Sequence, residues 1–311
     1  MNRTRIERQL TGLAAAVAVL FASPGFGQSV GNAPLLLELP ASTRALALGG
    51  AFVLSTAESD AIFYNAGSLV NAEGVGLGIQ RYGTASVLGS FSAATEWAGG
   101  QLAIGVQALS FGAAVPWLDG IPDNANELLT DAPVGASELV GSVGYARELL
   151  GFRLGVVGKA VEQRVGPGRD ATVAGDIGIA HRIMGITVGL SAQNLGPGLS
   201  IGDISRPLPA RVTLGLSSPS RQVGPLDLVI STAVSRRRDG EIIPAGGIEV
   251  AWWPIVGRTF IGRFGLRRVP GNGASPFTFG AAFRGDVISI EYAFEEFEAP
   301  GSSHRVGLSW R

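Results

Sequence analysis

The chain has only two histidines, His181 and His304, and no cysteine. Ser302 and Ser303 stand beside His304, which puts hydroxyls next to a base. Neighbours in sequence become a nucleophile and its base only if the fold orients them. His181 is expected near a short turn and His304 near an outer loop, so the two imidazoles belong to opposite ends. No H-E-x-x-H or Walker pattern occurs. Asp119, Asp123, Asn124 and Glu127 gather oxygen donors in "DGIPDNANE", but not at EF-hand spacing, and the stretch reads as a solvated loop. No enzymatic activity, metal or cofactor is expected.

A different constellation lies in "RALALGGAFVLSTAESDAIFYNAGSL", Arg44 to Leu69. Arg44, Glu58, Asp60 and Asn65 are polar groups among small residues, and Gly49-Gly50 permit close backbone approach or positive φ. Such groups suit charge pairing with a surrounding wall.

The wall follows from alternation. "VGLGIQ" puts Val75, Leu77 and Ile79 on one face and Gly76, Gly78 and Gln80 on the other. Leu102, Ile104 and Val106 stand opposite Gln101, Ala103 and Gln107. Ile288, Ile290, Tyr292 and Phe294 stand opposite Ser289, Glu291 and Glu295. Period two over such lengths is strand. Fourteen segments are predicted: 75–83, 86–95, 101–111, 137–147, 151–164, 171–181, 185–195, 209–218, 225–236, 245–252, 259–268, 276–284, 287–295 and 303–311. Most have the ~9–11 residues that cross a bilayer at a tilt, and their number is even, as in bacterial outer-membrane barrels. The second, fourth, sixth and twelfth connections are short, whereas the third (Gly112–Ser137) and seventh are long; the first, "GTA", is the short exception. That alternation predicts an all-β transmembrane antiparallel barrel with short periplasmic turns and longer outer loops. Trp97, Trp252, Trp253 and Trp310 are all expected at the periplasmic level, as an aromatic girdle. A solvated sheet of a soluble protein is the competing reading of the polar face.

Composition agrees. Hydrophobic residues make up 46% of the chain and charged residues 16%, and there are 46 glycines. High hydropathy without an apolar run of ~18 residues fits a barrel or a large buried core. Arg3, Arg5 and Arg8, the apolar run Gly12–Ala22, and small Gly25 and Gly27 read as a signal peptide over residues 1–27. Its removal leaves a net charge of −3, which gives no basic excess for nucleic acid.

The Arg44–Leu69 segment resembles the N-terminal signature of the PorV/PorQ family of outer-membrane proteins, which are similar to FadL-type fourteen-stranded barrels. Arg44-Ala45, Leu48-Gly49-Gly50-Ala51, Glu58, Asp60 and Asn65-Ala66-Gly67 carry the resemblance. Leu48 stands where the family usually has Met, and Ala66 where it has Pro. The resemblance implies a segment over residues 28–74 folded inside a barrel of residues 75–311, where Glu58, Asp60 and Asn65 can reach lumen arginines such as Arg263 or Arg284; a periplasmic N-terminal tail is the alternative. It implies a monomeric barrel in the bacterial outer membrane, in contact with its lipid, that receives or tethers exported cargo in a type 9-like secretion or surface-attachment system. A FadL-like passive channel for hydrophobic small molecules is the alternative, and a structural outer-membrane protein is a third. For the cargo reading, the candidate partner loop carries Trp117, Leu118, Ile121, Leu128 and Leu129 rimmed by acids, because exposed apolar residues suit a protein contact.

Overall fold

The computed structural model describes residues 32–51, 54, 57–82, 86–111, 136–269, 274–297 and 301–311. The signal-peptide segment and the candidate partner-loop residues lie outside them.

Strands come in chain order as β1 (Gly74–Tyr82), β2 (Ser86–Trp97), β3 (Gly100–Phe111), β4 (Ala136–Leu149), β5 (Phe152–Val165), β6 (Gly168–Ile183) and β7 (Ile186–Leu195). Then follow β8 (Leu199–Ile201), β9 (Ile204–Arg206), β10 (Arg211–Ser217), β11 (Arg221–Val223) and β12 (Leu226–Arg237). The last are β13 (Ile242–Ile255), β14 (Arg258–Arg267), β15 (Ala274–Arg284), β16 (Ile288–Phe297) and β17 (Gly301–Trp310). Fourteen of them, all but β8, β9 and β11, form one antiparallel ring. It closes where β1 pairs with β17, from Val75↔Trp310 to Tyr82↔Ser303. Each predicted segment corresponds to one barrel strand. Closure removes the unpaired edge that a strand cannot leave in hydrocarbon.

Side chains divide as the alternation predicts. Along β3, Gln101, Ala103 and Gln107 are buried, while Ile104 and Val106 are exposed on the outer face. On β4 Ser142 is 4% exposed and its neighbour Val143 59%. Leu214 on β10 belongs to the outer set, and Thr213 is buried in the lumen, where its hydroxyl lies 2.9 Å from that of Ser235. Leu214→Arg should therefore cost assembly about 2–4 kcal/mol more than Thr213→Arg, because only the first puts a cation into lipid. The folded fraction on an unheated detergent gel measures this, and equal losses would contradict the facing.

The short turns share one end. Ala98-Gly99, Leu150-Gly151 and Met184-Gly185 have positive φ at both residues, 50°/72°, 53°/81° and 50°/87°. That is the geometry of two-residue hairpins whose twist matches the strands. At the other end the connections are mostly longer, with one unanticipated exception: β5 and β6 are joined by Gly166-Pro167 alone. The long seventh connection does not simply project. Its Leu199 and Leu208 turn inward onto Leu36 and Leu37, and Pro207 accepts a hydrogen bond from the Ala33 N–H at 3.2 Å.

One expectation is corrected. Trp97, Trp252 and Trp310 lie on the outer face at the short-turn end. Trp253, next to Trp252, has opposite parity and lines the lumen, where its Nε1 donates to Asp227 Oδ2 at 3.0 Å. Adjacent strand residues point to opposite faces, so both could not join one girdle.

Candidate functional site: the lumen segment and its two chambers

The described residues between 32 and 73 pack within the ring. Leu36, Leu46, Ile62 and Leu69 are completely buried. Two stretches of this segment each bring a hydrophobic cluster to the wall. Ile62, Phe63, Ala66 and Leu69 meet Ala94, Ala103, Ala146 and Val157. Leu36 and Leu37 meet Leu88, Leu109, Val140 and Val161.

The wall admits the segment because inward positions on many strands are glycine. A methyl at Gly155 would sit 2.2 Å from Ala66 O, and at Gly178 2.0 Å from Asn65 Oδ1. At Gly265 it would sit 2.2 Å from Gly49 N, and at Gly280 2.4 Å from Ala47 Cβ. The alternating glycines of "VGLGIQ" and similar stretches thus mark a wall that touches an inner backbone, a meaning that alternation alone does not convey.

Polar contacts fix the segment at three places. Glu138 on β4 accepts from Leu35 N–H at 3.1 Å and Leu36 N–H at 2.6 Å, satisfying the open donors of a single 3₁₀ turn. Arg305 on β17 is fully buried and donates to the carbonyls of Pro40 (3.2 Å) and Ala41. The Tyr64 hydroxyl accepts from Ala41 N–H at 2.9 Å and Ser42 N–H at 3.0 Å. Ser42 caps the short helix Thr43–Ala47, its Oγ accepting from Ala45 N–H at 3.3 Å.

The third place is a ladder of charges built on Arg44. Arg44 Nη1 lies 3.0 Å from Glu58 Oε1, and its Nε 3.0 Å from Glu249 Oε2. Glu249 Oε2 also meets Arg263 Nε at 2.7 Å, and Arg263 Nη2 meets Glu291 at 3.0 Å. Arg284 Nη2 reaches Glu58 at 3.4 Å. Each charge has an opposite neighbour, which enclosed ions require. The alternation puts Glu291 on the polar face of its strand, but its link through Arg263 and Glu249 to Arg44 needed the fold.

The expected motif roles separate. Glu58 reaches Arg284, as anticipated. Gly49 (φ 65°) and Gly50 (φ 85°) take the left-handed backbone that their type allows. Asn65 does not reach an arginine: its Oδ1 accepts from Gly67 N–H at 2.9 Å and its Nδ2 donates to Ile179 O at 3.4 Å. A short amide bonds its local backbone in preference to a distant cation. Asp60 makes no ion pair among the described residues. Its Oδ1 is enclosed without a hydrogen-bond partner, while one edge of the side chain faces a cavity of about 40 Å³.

That enclosure, with the negative Glu58 next in effect, pushes the Asp60 carboxyl up to about 7 from its ordinary 3.8. The folded chain then holds this proton more tightly than the unfolded chain. Its stabilising contribution is complete below about pH 4 and is lost as pH rises through about 7. Asp60→Asn keeps the shape and the neutral form. It should raise hydrogen-exchange protection of residues 57–72 above wild type at pH 8, with the difference closing toward pH 4. A difference independent of pH would contradict this origin.

Two chambers flank the inner segment. The one at the long-loop end holds about 500 Å³ and is lined by Leu35, Leu37, Leu39, Tyr64 and Ile243, with Arg211 and Arg267 among them. The one at the short-turn end holds about 460 Å³ and is more polar, with Arg153, Arg182, Arg284 and Asp227. Ala45, Gly49 and Gly50 face the first, and Arg44 and Leu54 face the second. Residues 44–51 and Leu54 therefore stand between the two chambers.

The histidines lie outside the lumen. His181 Nδ1 is 2.7 Å from Gly151 O at the short-turn end. His304 is exposed near the long-loop end, 2.9 Å from Ser302 Oγ and 2.7 Å from Tyr292 OH. Sequence adjacency thus produced a hydrogen bond between Ser302 and His304. The other ring nitrogen meets a phenol, where a catalytic triad would place a carboxylate.

No protein-family model matches the chain, and no curated protein matches it. Solved structures do match. The toluene transporter TodX of Pseudomonas putida aligns with a TM-score of 0.57 at 12% identity, over 93% of this chain and 99% of that one. The toluene transporter TbuX of Ralstonia pickettii gives 0.52 at 14% identity, over 86% and 96%. A Pseudomonas aeruginosa FadL homologue gives 0.51 at 10% identity, over 92% and 99%. The similarity to PorV/PorQ draws no support from a family match, and at these identities the likeness is one of fold: a closed, antiparallel fourteen-strand barrel of the FadL type.

Proposed function

We propose that this chain is a passive channel for hydrophobic small molecules in the bacterial outer membrane. The observation that carries this reading is the pair of chambers, about 500 and 460 Å³, separated by residues 44–51 and Leu54. Each is of small-ligand size. Leucines, Tyr64 and Ile243 give the outer chamber apolar surface for a hydrocarbon. The solute descends past Gly49 and Gly50 into the more polar inner chamber, where apolar contacts weaken and release is favoured. The likeness to two toluene transporters and a monoaromatic hydrocarbon channel supports this reading over reception of exported protein.

Ala245 lines the outer chamber beside Thr213 and Gly50. Ala245→Trp should fill it. Purified wild-type barrel should bind a fluorescent naphthylamine saturably, and the variant should bind it no better than the detergent blank. Equal binding by both would remove the outer chamber from the pathway.

A further inference from the structure

The inner segment shapes the outer face of the barrel. Where Asn65-Ala66-Gly67 meets β5 and β6, the contact is backbone on backbone: Ala66 O lies against Gly155, and Arg153 O and Ile179 Cα lie against Gly67. On the lipid side of the same wall is a concavity of about 540 Å³ whose floor includes Gly155 and Gly178. Its sides are apolar: Leu154, Val156, Ile177, Leu190, Ala192 and Val212. The β6–β7 register also slips between Gly175 and Ile177, and a bulge bends its strand. A wall drawn inward onto the segment, beside a bulge, leaves a dent outside.

One end of the dent is charged. Arg147 lines it from β4, three residues before the Leu150-Gly151 turn. It is exposed on the outward parity, and it makes no ion pair among the described residues. Aromatic groups mark this level as the membrane interface. Trp97 packs edge-on to Tyr145 with ring centroids 6.1 Å apart, and the Tyr145 hydroxyl donates to Ala98 O at 3.1 Å. An apolar trough running from hydrocarbon depth to one unpaired cation at the interface matches an amphiphile with a long chain and an anionic head.

The geometry points to a phospholipid site on the outer wall across β4–β10, with an acyl chain in the dent and the phosphate on Arg147. This requires the barrel to sit in a membrane, but it does not depend on the channel reading. Water cannot compete well for an apolar trough facing lipid, and a guanidinium pairs with phosphate through two parallel hydrogen bonds. Binding of the lipid also covers the wall against which Asn65-Ala66-Gly67 is seated.

The test is native mass spectrometry of the delipidated full-length barrel, titrated with palmitoyl-oleoyl phosphatidylglycerol. One lipid should bind ahead of the rest. Arg147→Gln should weaken that first binding about fivefold, the effect of one basic residue at a membrane surface. Ala192→Phe, which fills the trough, should weaken it as well. Val306→Phe, on the outer face of β17 away from the dent, should leave it unchanged. Wild type should bind palmitoyl-oleoyl glycerol, which lacks phosphate, about as weakly as Arg147→Gln binds the phospholipid. Millimolar inorganic phosphate should not displace the bound lipid. Three results would overturn the site: no preferred first lipid, equal affinity for the two amphiphiles, or equal loss in the Ala192 and Val306 variants. Displacement by phosphate alone would reduce it to an anion site. The amphiphile comparison uses wild type, so the outcome stands even if Arg147→Gln does not assemble.

Discussion

Arg44→Ala is expected to release the inner segment while leaving the barrel closed. The guanidinium spans Glu58 and Glu249, with both contacts at 3.0 Å and both carboxylates under 15% exposed. Its loss takes from Glu58 the 3.0 Å contact and leaves the longer 3.4 Å contact to Arg284. It also leaves Glu249 to share Arg263 with Glu291. Removing one member of an enclosed ion group costs about 3–5 kcal/mol, because the remaining charges keep their desolvation without their pairing. Residues 41–51 should lose hydrogen-exchange protection, while the strands keep theirs and the protein still shifts on a gel when boiled. Arg44→Lys should rescue only part of the loss, since one ammonium cannot replace a fork that reaches two carboxylates. Full protection in Arg44→Ala would show that apolar packing alone seats the segment.

A single methyl at Gly155 should also unseat the inner segment. It would meet the Ala66 carbonyl oxygen at 2.2 Å and carbon at 2.3 Å, and both are backbone atoms that cannot swing aside. Overpacking of this kind costs about 1–3 kcal/mol or more. Gly158 lies on the same strand with opposite parity and has nothing within 4 Å of its added methyl. Gly155→Ala should expose residues 65–72 to protease, and Gly158→Ala should behave as wild type. Matching behaviour of the two would mean that the inner segment does not rest on β5.

The barrel was legible because alternation, strand length and turn chemistry are local. The predicted segment 137–147 is Ala136–Leu149 in the structure, and 209–218 is Arg211–Ser217. The same period-two rule, applied between Trp252 and Trp253, would have kept Trp253 out of the girdle. The motif Arg44 to Asn65 was legible as polar groups among small residues, but its partners were not. Glu249 and Arg263 come from strands some two hundred residues away, and only closure of the ring brings them to Arg44. Asn65 was misread because a cap and a distant ion contact use the same side chain, and sequence does not say which backbone donors stand open. The inward fold of residues 196–210 was hidden for a similar reason. Leu199 and Leu208 look like ordinary loop residues until Leu36 and Leu37 are beneath them.

The central claim, passage of hydrophobic solutes through the two chambers, is tested most directly by uptake into intact cells whose outer membrane carries the protein. Uptake of labelled toluene and of a small labelled sugar should be compared at limiting concentration, for wild type, Ala245→Trp and empty vector. Wild type should accelerate toluene uptake and leave sugar uptake at the empty-vector level, and Ala245→Trp should return toluene uptake to that level with the barrel still present in the membrane. Toluene uptake equal in all three, or acceleration of the sugar alone, would contradict the account.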